Sequence, residues 1–423
     1  MLLYKAKTII TPLKPIRLAG FAHRIGNYTG VKQDIMARFI VLEDDRKART
    51  AILSVEMLCV TDEMTNTIRD YLSDRYGIPA ENVLISATHN HSAPYLVKNA
   101  HPLLGTYDEE YALFLDDAIK QLIDQAMKKP IPIVCSYQAT DVHLSVNRRL
   151  MVDGKIEMRP NFNGHTEPIC HLMKLNHEQS GRLEAVLINY ACHANIADDN
   201  EINPDYPGVL CGFIESHWTD CTALFLQGYT GDIRPRAIIG DEFFRGNFHL
   251  AQRFGHAFYQ KIKPALETKG KPIKLNLKGA IIQQEIPTVN QIADDLSTNL
   301  DLTVEPYRSW YRLFSKQPDQ LHAPHMLQVQ AIRVSENIIL AAANGEIVSG
   351  YAQDIRSHFP NDTIMTIGYS NGMLGYIATA QQIKEGGYEA EDFLYYFGLP
   401  GKWDESVDTI LRESQITAVH SVK

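Results

Sequence analysis

The stretch Ser86-Ala87-Thr88-His89-Asn90-His91-Ser92-Ala93-Pro94 constrains this chain more than any other. It follows Val83-Leu84-Ile85, a short apolar run that reads as a buried strand. On an extended backbone, residues i and i+2 face the same side, so His89 and His91 can address one cleft. Two readings stand at this point: a metal-ligating or catalytic pair, or two histidines capping a surface loop. An H-x-H pair does not choose between them without partners elsewhere in the chain.

Partners of the same kind recur. The run Leu183 to Asn189 reads as a strand and ends in Tyr190-Ala191-Cys192-His193. Ala223-Leu224-Phe225-Leu226 leads into Gly228-Tyr229-Thr230-Gly231-Asp232-Ile233-Arg234-Pro235-Arg236. Strands at 327–334 and 336–343 precede Asn344-Gly345-Glu346, and Met365-Thr366-Ile367 opens onto Gly368-Tyr369-Ser370-Asn371-Gly372. Polar loops that each follow an apolar strand favour one assembled site, because open α/β sheets carry ligands beyond the carboxyl ends of their strands. The expected fold class is α/β, with mixed sheets, flanking helices and the site in loops after strands.

Between these junctions the periodicity predicts a strand–turn–strand pair over 37–55. A helix from Asp62 stops at Gly77, and a second helix opens with Thr106-Tyr107-Asp108-Glu109 as a capping box and runs to about Lys129. Arg148 and Arg149 read as a loop pair, either solvated or clamping a substrate oxyanion, and 150–180 reads as loop-rich. The lysine-bearing linker at 264–272 is the best boundary, dividing the chain into 1–265 and 266–423. Residues 290–325, with Trp310, Tyr311 and Phe314, read as a helical insertion over part of a cleft.

Several function classes are excluded on composition. The 423 residues carry a formal charge of -9, which gives no nucleic-acid footprint. No apolar run is long enough to span a bilayer. The first residues lack the basic start, apolar core and cleavage site of a secretory signal, so the expected location is cytoplasmic. Six cysteines stand singly without a C-x-x-C pair, which favours buried reduced thiols over a cysteine zinc site. The expected partner is a small molecule, and for assembly a homo-oligomer is the general frequency.

Taken in order, these loops resemble the neutral ceramidase family, whose members are zinc-dependent amidases. Ala87-Thr88-His89-Asn90-His91-Ser92-Ala93-Pro94 is similar to that family's histidine loop. Val146-Asn147-Arg148 is similar to its asparagine–arginine loop, and Tyr190-Ala191-Cys192-His193 to the segment with the second zinc histidine. Asn344-Gly345-Glu346 resembles the segment with the carboxylate ligand, and Asn371 through Thr379 the segment ending in a tyrosine ligand. Gly387-Tyr388-Glu389 continues the match. The resemblance implies Zn2+ held by His89, His193, Glu346 and Tyr376, with His91 and Arg148 beside it. Two departures accompany it. Arg234 stands where the family's Gly-Asp-x-Ser-Pro motif has its catalytic serine, and Lys423 comes before the expected C-terminal immunoglobulin-like domain.

Arginine has no acceptor and stays protonated, so Arg234 cannot replace a serine nucleophile. It can present a fork to a carboxylate, phosphate or oxyanion, or it can pair with Asp232 or Glu346 and plug a dead site. Asp232 is expected to orient an imidazole or an arginine, and His91 to carry a proton. The reading is a zinc-dependent hydrolase using metal-activated water on a small polar or anionic amide or acyl compound. The alternatives are a sugar-directed hydrolase, lyase or isomerase on the same scaffold, or a catalytically inactive binding relative.

Overall fold

A computed structural model describes residues 1–98, 101–290 and 301–423. The principal sheet runs in the order Thr222–Gln227, Leu183–Tyr190, Ile169–His177, Ile131–Asp141, Leu2–Ile9, Met36–Glu43, Arg49–Val55, Val83–Ala87. Lys271–Ile273 adds to Ile131–Asp141 as a short side strand. The pairings at the two ends, Thr222–Gln227 with Leu183–Tyr190 and Arg49–Val55 with Val83–Ala87, are parallel, and those between are antiparallel. A second sheet is ordered Lys278–Glu285, Met326–Ser335, Ile338–Ala343, Thr363–Ile367, its last pair parallel.

The strands read as unbroken apolar runs because both faces of the principal sheet are covered. Ile40, Leu42, Ile52, Leu84, Leu187 and Leu226 point inward to one cluster shared with Ile332, Leu340 and Ile367 of the second sheet. Their neighbours Phe39, Val41 and Leu53 face the helices Asp62–Tyr76 and Glu109–Met127. Val186 and Ile188 face Asp205–His217 and Phe248–Glu267. Residues on both sides of position 265 thus share one apolar cluster.

Helix ends follow local chemistry. Thr61 caps Asp62–Tyr76 by accepting from the Met64 amide, and Gly77 closes it in the left-handed conformation at φ 65°. The second helix is capped by Asp108, which accepts from the Tyr111 amide at 2.8 Å, so the capping oxygen is not that of Thr106. The segment 150–180 is not loop-rich. It holds the end of Ser145–Val152, then Lys155–Asn161 and Ile169–His177; the adjacent polar residues Asn147-Arg148-Arg149 and the largely exposed Lys155–Asn161 show no clean strand period. Of the proposed insertion, 291–300 lie outside the described residues. The helix Tyr307–Lys316 packs through Trp310 on Tyr395 and donates from the indole to the Leu399 carbonyl at 2.7 Å. No helix among the described residues is long and apolar enough to cross a membrane.

Candidate active site

Five strands end at one place. Val83–Ala87 delivers His89 and His91, Leu183–Tyr190 delivers His193, and Thr222–Gln227 delivers Thr230, Asp232 and Arg234. From the second sheet, Ile338–Ala343 delivers Glu346 and Thr363–Ile367 delivers Tyr369. Gln227 ties the two histidine loops together, donating to the Thr88 carbonyl at 3.1 Å and accepting from the Cys192 amide at 3.2 Å. The His91 amide adds a further tie to the Ala194 carbonyl at 3.2 Å.

The three imidazoles meet through the same atom. Nε2 of His89 lies 2.9 Å from Nε2 of His193 and 3.2 Å from that of His91, and the last two are 3.1 Å apart. Each Nδ1 faces a main-chain carbonyl: Leu58 for His89 at 2.8 Å, Gly20 for His91 at 3.1 Å and Thr230 for His193 at 3.4 Å. A ring that donates from Nδ1 keeps a lone pair on Nε2, so the carbonyls select the tautomer that aims three lone pairs at one point. Burial first, with the neighbouring His89 imidazole and nearby arginines adding to it, holds His91 and His193 well below the ordinary histidine range, so both stay neutral. Glu346 Oε2 joins at 3.2 Å from His89 Nε2 and 3.9 Å from His193 Nε2.

This donor set fits a metal ion. Three lone pairs and a carboxylate oxygen converging in a buried space repel one another unless a cation lies between them. Zinc–nitrogen bonds of about 2.0–2.1 Å in a tetrahedron separate neighbouring nitrogens by roughly 3.3 Å, close to the spacing found. His91 therefore stands nearer than a neighbour: His89, His91 and His193 form the histidine group able to hold a metal among the described residues.

The loop is held in an unfavourable conformation to achieve this. His89 has φ 59°, a left-handed backbone that side chains other than glycine rarely adopt and that collects at functional sites. Gly20, at φ 93°, approaches so closely that a Cβ there would lie 2.5 Å from His91 Nδ1. Arg24, buried, donates to the carbonyls of His91, Ala19 and Ala197 and to Ser92 Oγ. Sequence reasoning passed over Tyr369, whose ring stacks on His89 with centroids 4.0 Å apart. Its hydroxyl shares a hydrogen with Thr230 Oγ1 at 2.5 Å and lies 3.4 Å from Glu346 Oε2. Its position after an apolar strand was the available signal.

Glu346 and Tyr376 are direct partners in a short parallel ribbon, Glu346–Ile347 against Tyr376–Ile377. Tyr376 is buried, and desolvation raises its phenol well above the usual value, with Glu346 adding to the rise against the opposing pull of Arg148. The guanidinium carbon of Arg148 lies 5.3 Å from the Tyr376 ring centroid.

The two arginines are neither in a loop nor solvated. They sit on Ser145–Val152 at 2% and 5% exposure, and both reach Glu389: Arg148 Nε donates to Oε1 at 2.6 Å and Arg149 Nη1 to Oε2 at 2.7 Å. Burial raises the Glu389 acid, but the two guanidiniums outweigh it and hold the carboxyl below its usual range. A π-helical turn, Tyr388–Asp392, presents Glu389 to them. Arg148 Nη2 is buried without a partner among the described residues.

Asp232 orients neither an imidazole nor an arginine through its side chain. Its carboxylate accepts from the Ser349 amide at 2.7 Å and from the amides of Gln382 and Asn147 at 3.1 and 3.3 Å, while its carbonyl accepts from the Arg148 amide at 2.9 Å. It fixes the geometry of the loops around the site. Arg234 makes no ion pair with Asp232 or Glu346 among the described residues. It stacks on Phe243, 4.7 Å from the ring centroid, so the plugged-site arrangement is absent.

A family model described as neutral/alkaline non-lysosomal ceramidase, N-terminal, matches residues 6–238. The solved neutral ceramidase from Pseudomonas aeruginosa superposes with a TM-score of 0.79 at 15% identity, over 100% of this chain and 74% of that one. A ceramidase complexed with C2 gives 0.78 at 14% identity, over 99% and 75%. No curated protein matches the chain. The structural likeness establishes the fold, and the family model spans more than half of the 423 residues, so the chain belongs to the neutral/alkaline non-lysosomal ceramidase family.

Proposed function

We propose that this protein is a zinc-dependent hydrolase that cleaves a carbon–nitrogen bond in a small polar or anionic amide. The observation that carries the reading is the convergence of three Nε2 atoms, their tautomers set by carbonyls, beside the unpartnered Nη2 of Arg148. His89, His91 and His193 with Glu346 would hold the ion, and Tyr376, paired with Glu346, flanks it. When bound, the metal supplies Lewis acidity and a water acidified towards neutrality. Arg148 is fixed by Glu389 and keeps a donor free for the oxyanion that develops on the attacked carbonyl. Arg234 leaves no serine for a covalent route at that position, which favours direct attack by water. The proposed setting is the cytoplasm, in keeping with six free, buried cysteines.

The test is elemental analysis of protein purified without added metal or chelator, followed by a screen of small amides with ceramide as the control. About one zinc per chain and turnover of a polar amide support the reading. A well-folded protein that binds no divalent metal, even when it is supplied, sinks it.

A further inference from the structure

Arg234 is the feature that sets this site apart from the serine-bearing pattern, and its surroundings are specific. It lies on Ile233–Pro235, paired antiparallel with Ser145–Val152 so that Arg234 stands opposite Val146. Arg148 is two residues further along, at an irregularity of that strand, and its charge bears on Arg234. Among the described residues, Arg234 Nε is buried without a partner and the hydrogen-bond contact of Nη1 is the Met158 sulfur, at 3.9 Å. Stacking on Phe243 covers one face of the guanidinium and leaves its in-plane N–H groups free. Asp198, whose charge bears on Arg234, makes no ion pair with it and lies 3.8 Å from Arg245 and 2.9 Å from the His23 ring. Burial, with Arg148 and Arg245 adding like charge, pulls Arg234 down to about 10, so it is still a cation at neutral pH.

Two guanidiniums beside the histidine cluster each keep a buried unpaired N–H among the described residues; Arg148 has Glu389 as its counter-ion, whereas Arg234 makes no ion pair there. Unpaired donors of this kind cost stability unless a ligand meets them. We propose that Arg234 receives a carboxylate of the substrate, so that the site takes amides bearing a carboxylate a few bonds from the scissile carbonyl. The bound carboxylate meets the in-plane fork of Arg234 while Arg148 remains for the reacting carbonyl. For the reaction, this inference rests on the hydrolase reading above; for binding it does not. Hydrolysis breaks the amide C–N bond, joins water oxygen to the acyl carbon and passes a proton to the leaving nitrogen, giving an acid and an amine. The carboxylate can lie on either product, and the two sources are separated by choice of probe.

N-acetylglycine against N-acetylglycinamide places the charge on the amine side, and succinamate against succinamide places it on the acyl side. Calorimetry on metal-free protein measures binding, and kcat and KM are measured on zinc-loaded protein. The wild type is expected to favour one acid over its uncharged partner by about 10- to 100-fold, chiefly in binding. Arg234→Gln abolishes that preference and Arg234→Lys restores part of it, with melting curves verifying that both variants fold. Equal binding of acid and amide, no binding of either, or a preference unchanged in Arg234→Gln overturns the proposal. Turnover of both members of a pair without preference overturns it and leaves the hydrolase reading intact. Arg234-dependent binding of an acid with no turnover of any amide upholds it and removes the hydrolase reading.

Discussion

Arg148 and Glu389, 241 residues apart in the chain, meet with Nε and Oε1 2.6 Å apart and both side chains almost wholly buried. The contact holds Arg148 against Tyr376 and leaves its Nη2 free, so the orientation of the free donor depends on a carboxylate from the far end of the fold.

Removing that carboxylate strands the buried Arg148 and leaves Arg149 with the 3.3 Å ion pair to Glu385. Glu389→Ala is expected to cost about 3–5 kcal/mol of unfolding free energy in denaturant titrations. Glu385 is more exposed and touches Arg149 at 3.3 Å, so Glu385→Ala is the control and costs under about 1 kcal/mol. Equal effects would show that the buried pair has no special weight.

The histidines are separable by metal content. His193→Ala is expected to lose the metal and all turnover. His91→Ala distinguishes two roles for its ring: loss of metal makes it a ligand, whereas a full metal equivalent with activity down by about 10²–10⁴ makes it a proton carrier. Retention of both metal and activity in His193→Ala contradicts the proposed coordination.

Gly20→Ala tests the close approach to His91. The added methyl would sit 2.5–2.9 Å from three atoms of that side chain, at a backbone φ of 93°. The expected result is a loss of about 1–3 kcal/mol in stability with weakened metal binding, measured by thermal unfolding with and without zinc. Unchanged zinc affinity would mean that the His91 ring relaxes without affecting the cluster.

Tyr369→Phe keeps the ring against His89 and removes the hydroxyl shared with Thr230. Partners of this kind typically tune metal affinity 10–100-fold, and a fall of about 10-fold is expected from competition with a zinc chelator.

Acid sensitivity follows from buried imidazoles. Burial holds His171 down to about 4, with Nε2 unpartnered among the described residues. Below an ordinary value of about 6.5 the unfolded chain takes up a proton that the folded one refuses until about pH 4. Stability is therefore full above about 6.5, falls by roughly 3 kcal/mol through that window and levels below it. His91 and His193 act in the same direction in metal-free protein. Urea unfolding of metal-free protein across this range should show the decline, with a shallower slope in His171→Gln.

Local patterns carried a large part of this fold in the sequence. The strand Val83–Ala87, the helix from Asp62 closed by Gly77 and the apolar runs before His193, Asp232 and Glu346 all follow from neighbouring residues. The polar strands between 145 and 161 did not, because Asn147, Arg148 and Arg149 are buried against partners distant in the chain, and Lys155–Asn161 is largely exposed, so neither shows an apolar period.

The sequence by itself determined that histidines, a glutamate and arginines stand just past strand ends, since periodicity and turn residues act over a few positions. Tertiary structure decided which of them meet. It brought His91 into contact with His89 and His193, gave Arg148 and Arg149 one shared carboxylate, and left Arg234 against Phe243 without an ion pair among the described residues. Buried charges and lone pairs must find partners wherever the chain can supply them, and the pairing is set by long-range packing, which no local pattern encodes.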